Sequence, residues 1–198
     1  MARWLRGEQT VSYLMDRGRL ESFEASDLPA LADAQIRRAM LRLNATAASA
    51  LEKGDVDGAY AAAYDAYRMT AEALLARQSL RATGGDGSHM AVEDAISSQF
   101  AAEIPAFAKP IFERLRRTRH TAQYFDPSAA PITGPDAEWA IEKATAALEG
   151  AKVLLSATPP EPFSYSLPNV NLSIGRLVTF SWKEPDPESS QSASRTVA

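Results

Sequence analysis

Apolar residues recur at intervals of three and four along most of this chain, and the interval changes only near its C-terminal end. Over 27–53, Ile36, Met40, Leu43, Ala47 and Leu51 share one helix face, with Asp27 placed to cap the start and Gly54 to end it. Asp55 opens a second helix over 55–79, with the stripe Tyr60, Tyr64, Tyr67, Ala71, Leu74 and Leu75. Two long helices joined at Gly54 and Asp55 are expected as antiparallel neighbours. Gly84, Gly85 and Gly87 leave too much backbone freedom for a helix, so 83–87 reads as a loop, after which Ser88 caps a helix to about Phe100. Pro105 and Pro110 leave two readings of the next helix, which carries Phe107, Ile111 and Leu115: it starts near Pro105 or it kinks at Pro110. It runs to about Tyr124. A last long helix opens at Thr133-Gly134-Pro135-Asp136, with Trp139, Ile141, Leu148, Val153 and Leu154 as its buried side.

A shorter helix with Val11, Leu14 and Met15 inward fits 10–20. The sum is an all-α bundle of four main helices with a short N-terminal one. Its organisation reads as an N-terminal segment 1–26, a helical bundle 27–157, a proline-rich linker with a β-hairpin over 158–184, and a disordered tail 185–198. The hairpin rests on period-two alternation of Val170, Leu172 and Ile174, then Val178, Phe180 and Trp182, about Gly175-Arg176. A lone hairpin is marginal in water, so it is expected to pack on the bundle, a second copy or a protein partner.

Composition narrows the chemistry. The chain has 198 residues, which suits one core plus a tail, and no cysteine, which removes disulfides and thiolate catalysis. Its two histidines, His89 and His120, form no ligand-spaced cluster with carboxylates, so neither a metal nor another cofactor is expected. Residues 1–8 lack the apolar run of a signal peptide and no eighteen apolar residues run unbroken, so a cytoplasmic protein without a membrane span is expected. A net charge of −4 means that any attraction for nucleic acid must be local.

Local positive charge is concentrated at Arg114, Arg116, Arg117 and Arg119, followed by His120 and Tyr124. At roughly 100° per residue these arginines cover most of the helix circumference, so at least one must turn inward and meet an acid. Asp65 and Glu72, which flank Arg68 on the second helix away from the tyrosines, are the candidates. The bland alternative is a solvated basic face or a buried ion-pair network. Arg116, His120 and Tyr124 share a face at i, i+4 and i+8. His89, beside the glycine loop, reads as structural rather than catalytic, and the tyrosine stripe reads as core.

Arg119-His120-Thr121-Ala122-Gln123-Tyr124 resembles the signature of HEPN domains (higher eukaryotes and prokaryotes nucleotide-binding), in which an arginine followed by a polar residue precedes a histidine at four to six intervening positions. Residues 63–68, 80–89 and 10–21 are similar to an actinobacterial-type subgroup, and the likeness spans about 10–155. The resemblance implies a helical bundle and a metal-independent RNase, a toxin or phage-defence effector whose homodimer interface forms the active site. It implies Arg119, His120 and Tyr124 as catalytic residues, Arg114, Arg116 and Arg117 as RNA-binding, and Asp65, Arg68 and Glu72 as supporting. In this register Tyr124 stands where the family has its histidine; starting instead from Arg114 places His120 there. The other reading implied is a non-cleaving module that binds RNA, a nucleotide or a protein partner. On a straight helix, residues five or six apart are rotated by roughly 140° or 240°, so neither pair converges on one phosphate without a second copy or a helix break.

Overall fold

The computed structural model describes residues 6–85, 87–123 and 130–164, and these are helical for most of their length. In chain order they form α1 (Glu8–Asp16), β1 (Leu20–Ser22), α2 (Leu28–Leu41), a π-helical stretch (Arg42–Ala47), α3 (Ala48–Glu52), α4 (Val56–Arg77), β2 (Leu80–Ala82), α5 (Ser88–Phe100), a 3₁₀ turn (Pro105–Phe107), α6 (Lys109–Gln123) and α7 (Gly134–Ala157). The chain is mostly helical, as expected of an all-α fold, and the helix read from Ser88 to about Phe100 is present as α5. A two-stranded antiparallel ribbon is added, pairing Leu20 with Ala82, Glu21 with Arg81 and Ser22 with Leu80.

The Asp27 carboxylate accepts from Ala30 N at 2.9 Å and starts α2 as expected. The path over 27–53 is not one regular helix, because it widens into the π-helical stretch before α3. Ala32, Ile36, Ala39, Leu43 and Ala47 are its buried positions, and Met40, expected inward, is 37% exposed. This segment lies against α4, whose inner surface is rich in alanine, so a small residue takes the closest approach.

Helix α4 is the centre of the molecule. It is capped by Asp55, which accepts from Gly58 N at 2.9 Å, and all six residues of its expected stripe are buried. It packs on α2, α6 and α7. Helix α7 begins with the expected capping box, the Thr133 and Asp136 side chains each bonded to the other's backbone, with Pro135 in the first turn. Its inner face is a run of alanines, Ala137, Ala140, Ala144, Ala147 and Ala151, joined by Leu148 and Leu154. Val153, expected inward, is 65% exposed, and Trp139 and Ile141 are only partly buried. Two alanine faces permit close helix approach, so the larger residues are displaced to its margins.

Of the two readings of Pro105 and Pro110, the structure shows a break: a 3₁₀ turn over Pro105–Phe107, then a new helix with Pro110 in its first turn. Phe112 and Leu115 point inward on α6 and Ile111 only partly so. Phe107 is buried from the turn. Tyr67 ties these pieces to α4. Its hydroxyl donates to Ala106 O at 2.7 Å, and its ring meets Phe107 and Phe112 edge-on at centroid distances of 5.3 and 4.8 Å.

The glycine loop follows strand β2, which the reading of 83–87 as a loop between two helices did not include, and the ribbon fixes where it begins. Thr83 N donates to Arg19 O at 3.2 Å and the Thr83 hydroxyl to Gly18 O at 2.8 Å. Gly87, not Ser88, occupies the cap position of α5, in the left-handed region at φ 86°, and no side chain caps that end. A Cβ there would also meet the Arg19 guanidinium at 2.9 Å. Past α7, Pro160 is buried and Phe163 N donates to Gln78 O at 2.8 Å, so this part of the linker lies along the bundle. The expected hairpin, the tail and Tyr124 lie outside the described residues. No helix among the described residues is long and apolar enough to cross a membrane.

Candidate functional site

The four arginines of α6 go to four different places. Arg114 turns to α7, its Nη2 3.1 Å from Asp136 and its guanidinium 3.9 Å above the Trp139 ring. Asp136, held by Thr133 and then by Arg114, has its carboxyl below the ordinary range. Arg116 and Arg119 both turn inward. Arg116 Nε donates to Glu93 of α5 at 3.0 Å, and the Glu93 side chain is 4% exposed. Arg117 is exposed and pairs within the helix with Glu113. Arg119 reaches α4, 3.8 Å from Asp65 and with its guanidinium 5.6 Å from the Tyr64 ring centroid. Its Nε is buried with no hydrogen-bond partner among the described residues.

Asp65 therefore receives an α6 arginine as expected. It also stands 3.9 Å from Arg42. Both separations exceed hydrogen-bond length, so the Arg119 charge is balanced at a distance while its donors remain incompletely used. Glu72 does not reach α6; it pairs with Arg68 one turn earlier on α4, at 2.9 Å and off the line of the Nε–H. Glu93, unmarked in the sequence reading, is the acid that meets Arg116.

His89, in the first turn of α5, bridges to α4. Its ring stacks on Tyr64, with centroids 5.9 Å apart and planes 10° from parallel. Nε2 lies 2.9 Å from Arg68 Nη1, and Nδ1 lies 2.6 Å from the Tyr64 hydroxyl. A guanidinium has no acceptor, so Arg68 donates and Nε2 holds the lone pair; the proton is on Nδ1 and is donated to the Tyr64 oxygen. Burial, then the charges of Arg68, Arg119 and Arg116, lower the His89 pKa to about 4, and the ring is neutral at pH 7. Burial pushes Tyr64 up to about 12 despite the same arginines. Tyr64 thus belongs both to the core stripe and to the site. The sequence clue was its position one turn before Arg68, which puts both side chains on one α4 face.

Arg116, Arg117, Arg119 and His120 come together with His89 and the glycine loop around one open cleft of about 610 Å³, floored by the start of α5 at Ser88 and Met90. No acid lies in the first turn of α5, so its end presents backbone N–H groups and the positive pole of the helix beside three arginines. Such a cleft suits a phosphate. The expected RNA-binding trio separates, with Arg116 and Arg117 at the cleft and Arg114 against α7. Among the described residues no group of three or more His, Asp or Glu is placed to hold a metal ion.

No family model matches the chain, nor does any curated protein or solved structure.

Proposed function

We propose that this chain is a HEPN-type, metal-independent RNase, acting as a toxin or phage-defence effector, whose α5–α6 cleft holds the RNA phosphate. The observation that carries this reading is the gathering of Arg116, Arg117, Arg119 and His120 around the uncapped start of α5, with the Arg119 Nε buried and unpaired among the described residues. The Arg119-His120…Tyr124 resemblance supports it. In the reaction the RNA 2′-oxygen bonds to phosphorus as its proton passes to the His120 imidazole. The bond from phosphorus to the 5′-oxygen breaks as an imidazolium returns a proton there, leaving a 2′,3′-cyclic phosphate and a 5′-hydroxyl. Arg119 stabilises the negative charge on the phosphoryl oxygens. His89, with its lone pair held by Arg68, serves as a positioning residue for Tyr64 and Arg68.

Two proton transfers and one His120 per chain suit a homodimer that closes the site from two copies, and the geometry of a straight helix points the same way. A non-cleaving RNA-binding module is the second reading. It is favoured by the engaged lone pair of His89 and by Tyr64, whose raised pKa makes it a poor base at neutral pH. Expressing the wild type and the Arg119→Ala, His120→Ala and Tyr124→Phe variants, then assaying growth arrest and cleavage of cellular RNA in chelator, separates the two. The RNase reading expects wild-type cleavage with a loss of about a hundredfold or more in His120→Ala. Wild-type binding without cleavage supports the module, and neither activity leaves the ion-pair network as scaffold alone.

A further inference from the structure

A second cleft backs onto the arginine cleft. It has a volume of about 340 Å³ and lies between α2, α4 and β2, with Leu31, Leu75 and Leu80 as apolar walls and Phe23 at its edge. Ser88 lines both clefts. Arg68 lines the second, and its Nη1 is bonded to His89, which lines the first. The two spaces therefore share a wall one side chain thick. The volume is at the small end of ligand sites and suits one flat heterocycle.

The polar groups in this cleft are of both kinds. Gln35 Oε1, an acceptor, and Arg68 Nε, a donor, are each buried with no hydrogen-bond partner among the described residues, and Glu72 and Arg81 stand on the same lining. A buried polar group left unmatched is unfavourable, so a flat ligand edge that presents an N–H beside an acceptor is the natural complement. Phe23, with the Arg81 guanidinium 5.8 Å from its ring centroid, supplies flat surface for stacking. An aliphatic ligand would leave Gln35 Oε1 and Arg68 Nε unmatched, and a free phosphate, which has no N–H, would leave Gln35 Oε1 so.

We propose that this cleft is a base-reading subsite that takes a nucleobase, with Gln35 Oε1 accepting from an N–H of the base edge and Arg68 Nε donating to a ring nitrogen or carbonyl oxygen beside it. The inference rests on the reading of the arginine cleft as the phosphate site, and it makes that site selective for nucleotides.

The test is calorimetric titration of the full chain with CMP, UMP and AMP against ribose 5-phosphate. The nucleotides are expected to bind about tenfold more tightly than ribose 5-phosphate, which leaves the buried polar groups unmatched. Gln35→Leu narrows that preference, and Gln35→Glu, which keeps an acceptor, retains it; helical circular dichroism shows that both variants fold. Arg119→Ala weakens all the phosphates by a similar factor and leaves the preference intact. Equal affinity for every nucleotide and for ribose 5-phosphate overturns base reading while the phosphate cleft stands. A Gln35-dependent preference with no effect of Arg119→Ala supports the base cleft and removes the phosphate site.

Discussion

At the scale of the residue, His89 shows how a side chain with an unremarkable sequence position becomes part of a site. Its partners Tyr64 and Arg68 are 25 and 21 residues away, so nothing adjacent in the chain announces them. Its titration gives a direct check. The folded pKa is about 4 against 6.5 for a free imidazole, so below about 6.5 the unfolded chain binds a proton that the folded chain refuses. Stability is then expected to fall as the pH is lowered from about 6.5 to 4. Thermal melts across that window should show a flatter profile for His89→Gln than for wild type; parallel profiles would contradict the assignment. Arg116 gives a second check. Arg116→Met leaves Glu93 charged and enclosed, which should destabilise the fold by about 3 kcal/mol in urea, and adding Glu93→Leu should recover most of the loss. An additive double variant would show that the pair is not coupled.

At the scale of the element, periodicity exposed what is amphipathic and missed what is small or short. The stripe of α4 was legible because tyrosines and leucines mark a buried face unmistakably, and Asp27, Asp55 and Thr133 marked starts through cap chemistry. In α7 the buried face is made of alanine, which a reading keyed to large apolar residues overlooks, so Val153 was misplaced. Three-residue strands are too short to display alternation, so the ribbon left no signal. The α6 arginines were legible as a site because charge in that density cannot all be solvated on one face; Asp65 was foreseen, with Glu72 as the alternative, as the acid for an arginine left unspecified, and the Glu93 contact of Arg116 was not, since Glu93 reads as a surface acid until α5 is docked. The close approach of α7 and α4 predicts that Ala144→Leu costs about 1–3 kcal/mol by overpacking, whereas a leucine at exposed Lys152 changes little. Chemical denaturation of the two variants tests this, and equal midpoints would contradict it.

At the scale of the molecule, a chain of net charge −4 gathers arginines at one cleft, so its affinity for a polyanion is local and screened by salt. Glu113, Glu93 and Asp65 temper that cleft, each beside an arginine. Binding of phosphate must therefore compete with internal pairs, and Arg119, whose acid is the most distant, is the arginine best able to respond. The most direct measurement is the affinity of the chelator-treated protein for single-stranded RNA over a range of salt concentrations, compared with Arg119→Ala. The account predicts weaker binding and a slope of log affinity against log salt that is shallower by about 0.7 for the lost phosphate contact. Unchanged affinity and slope in Arg119→Ala would contradict it.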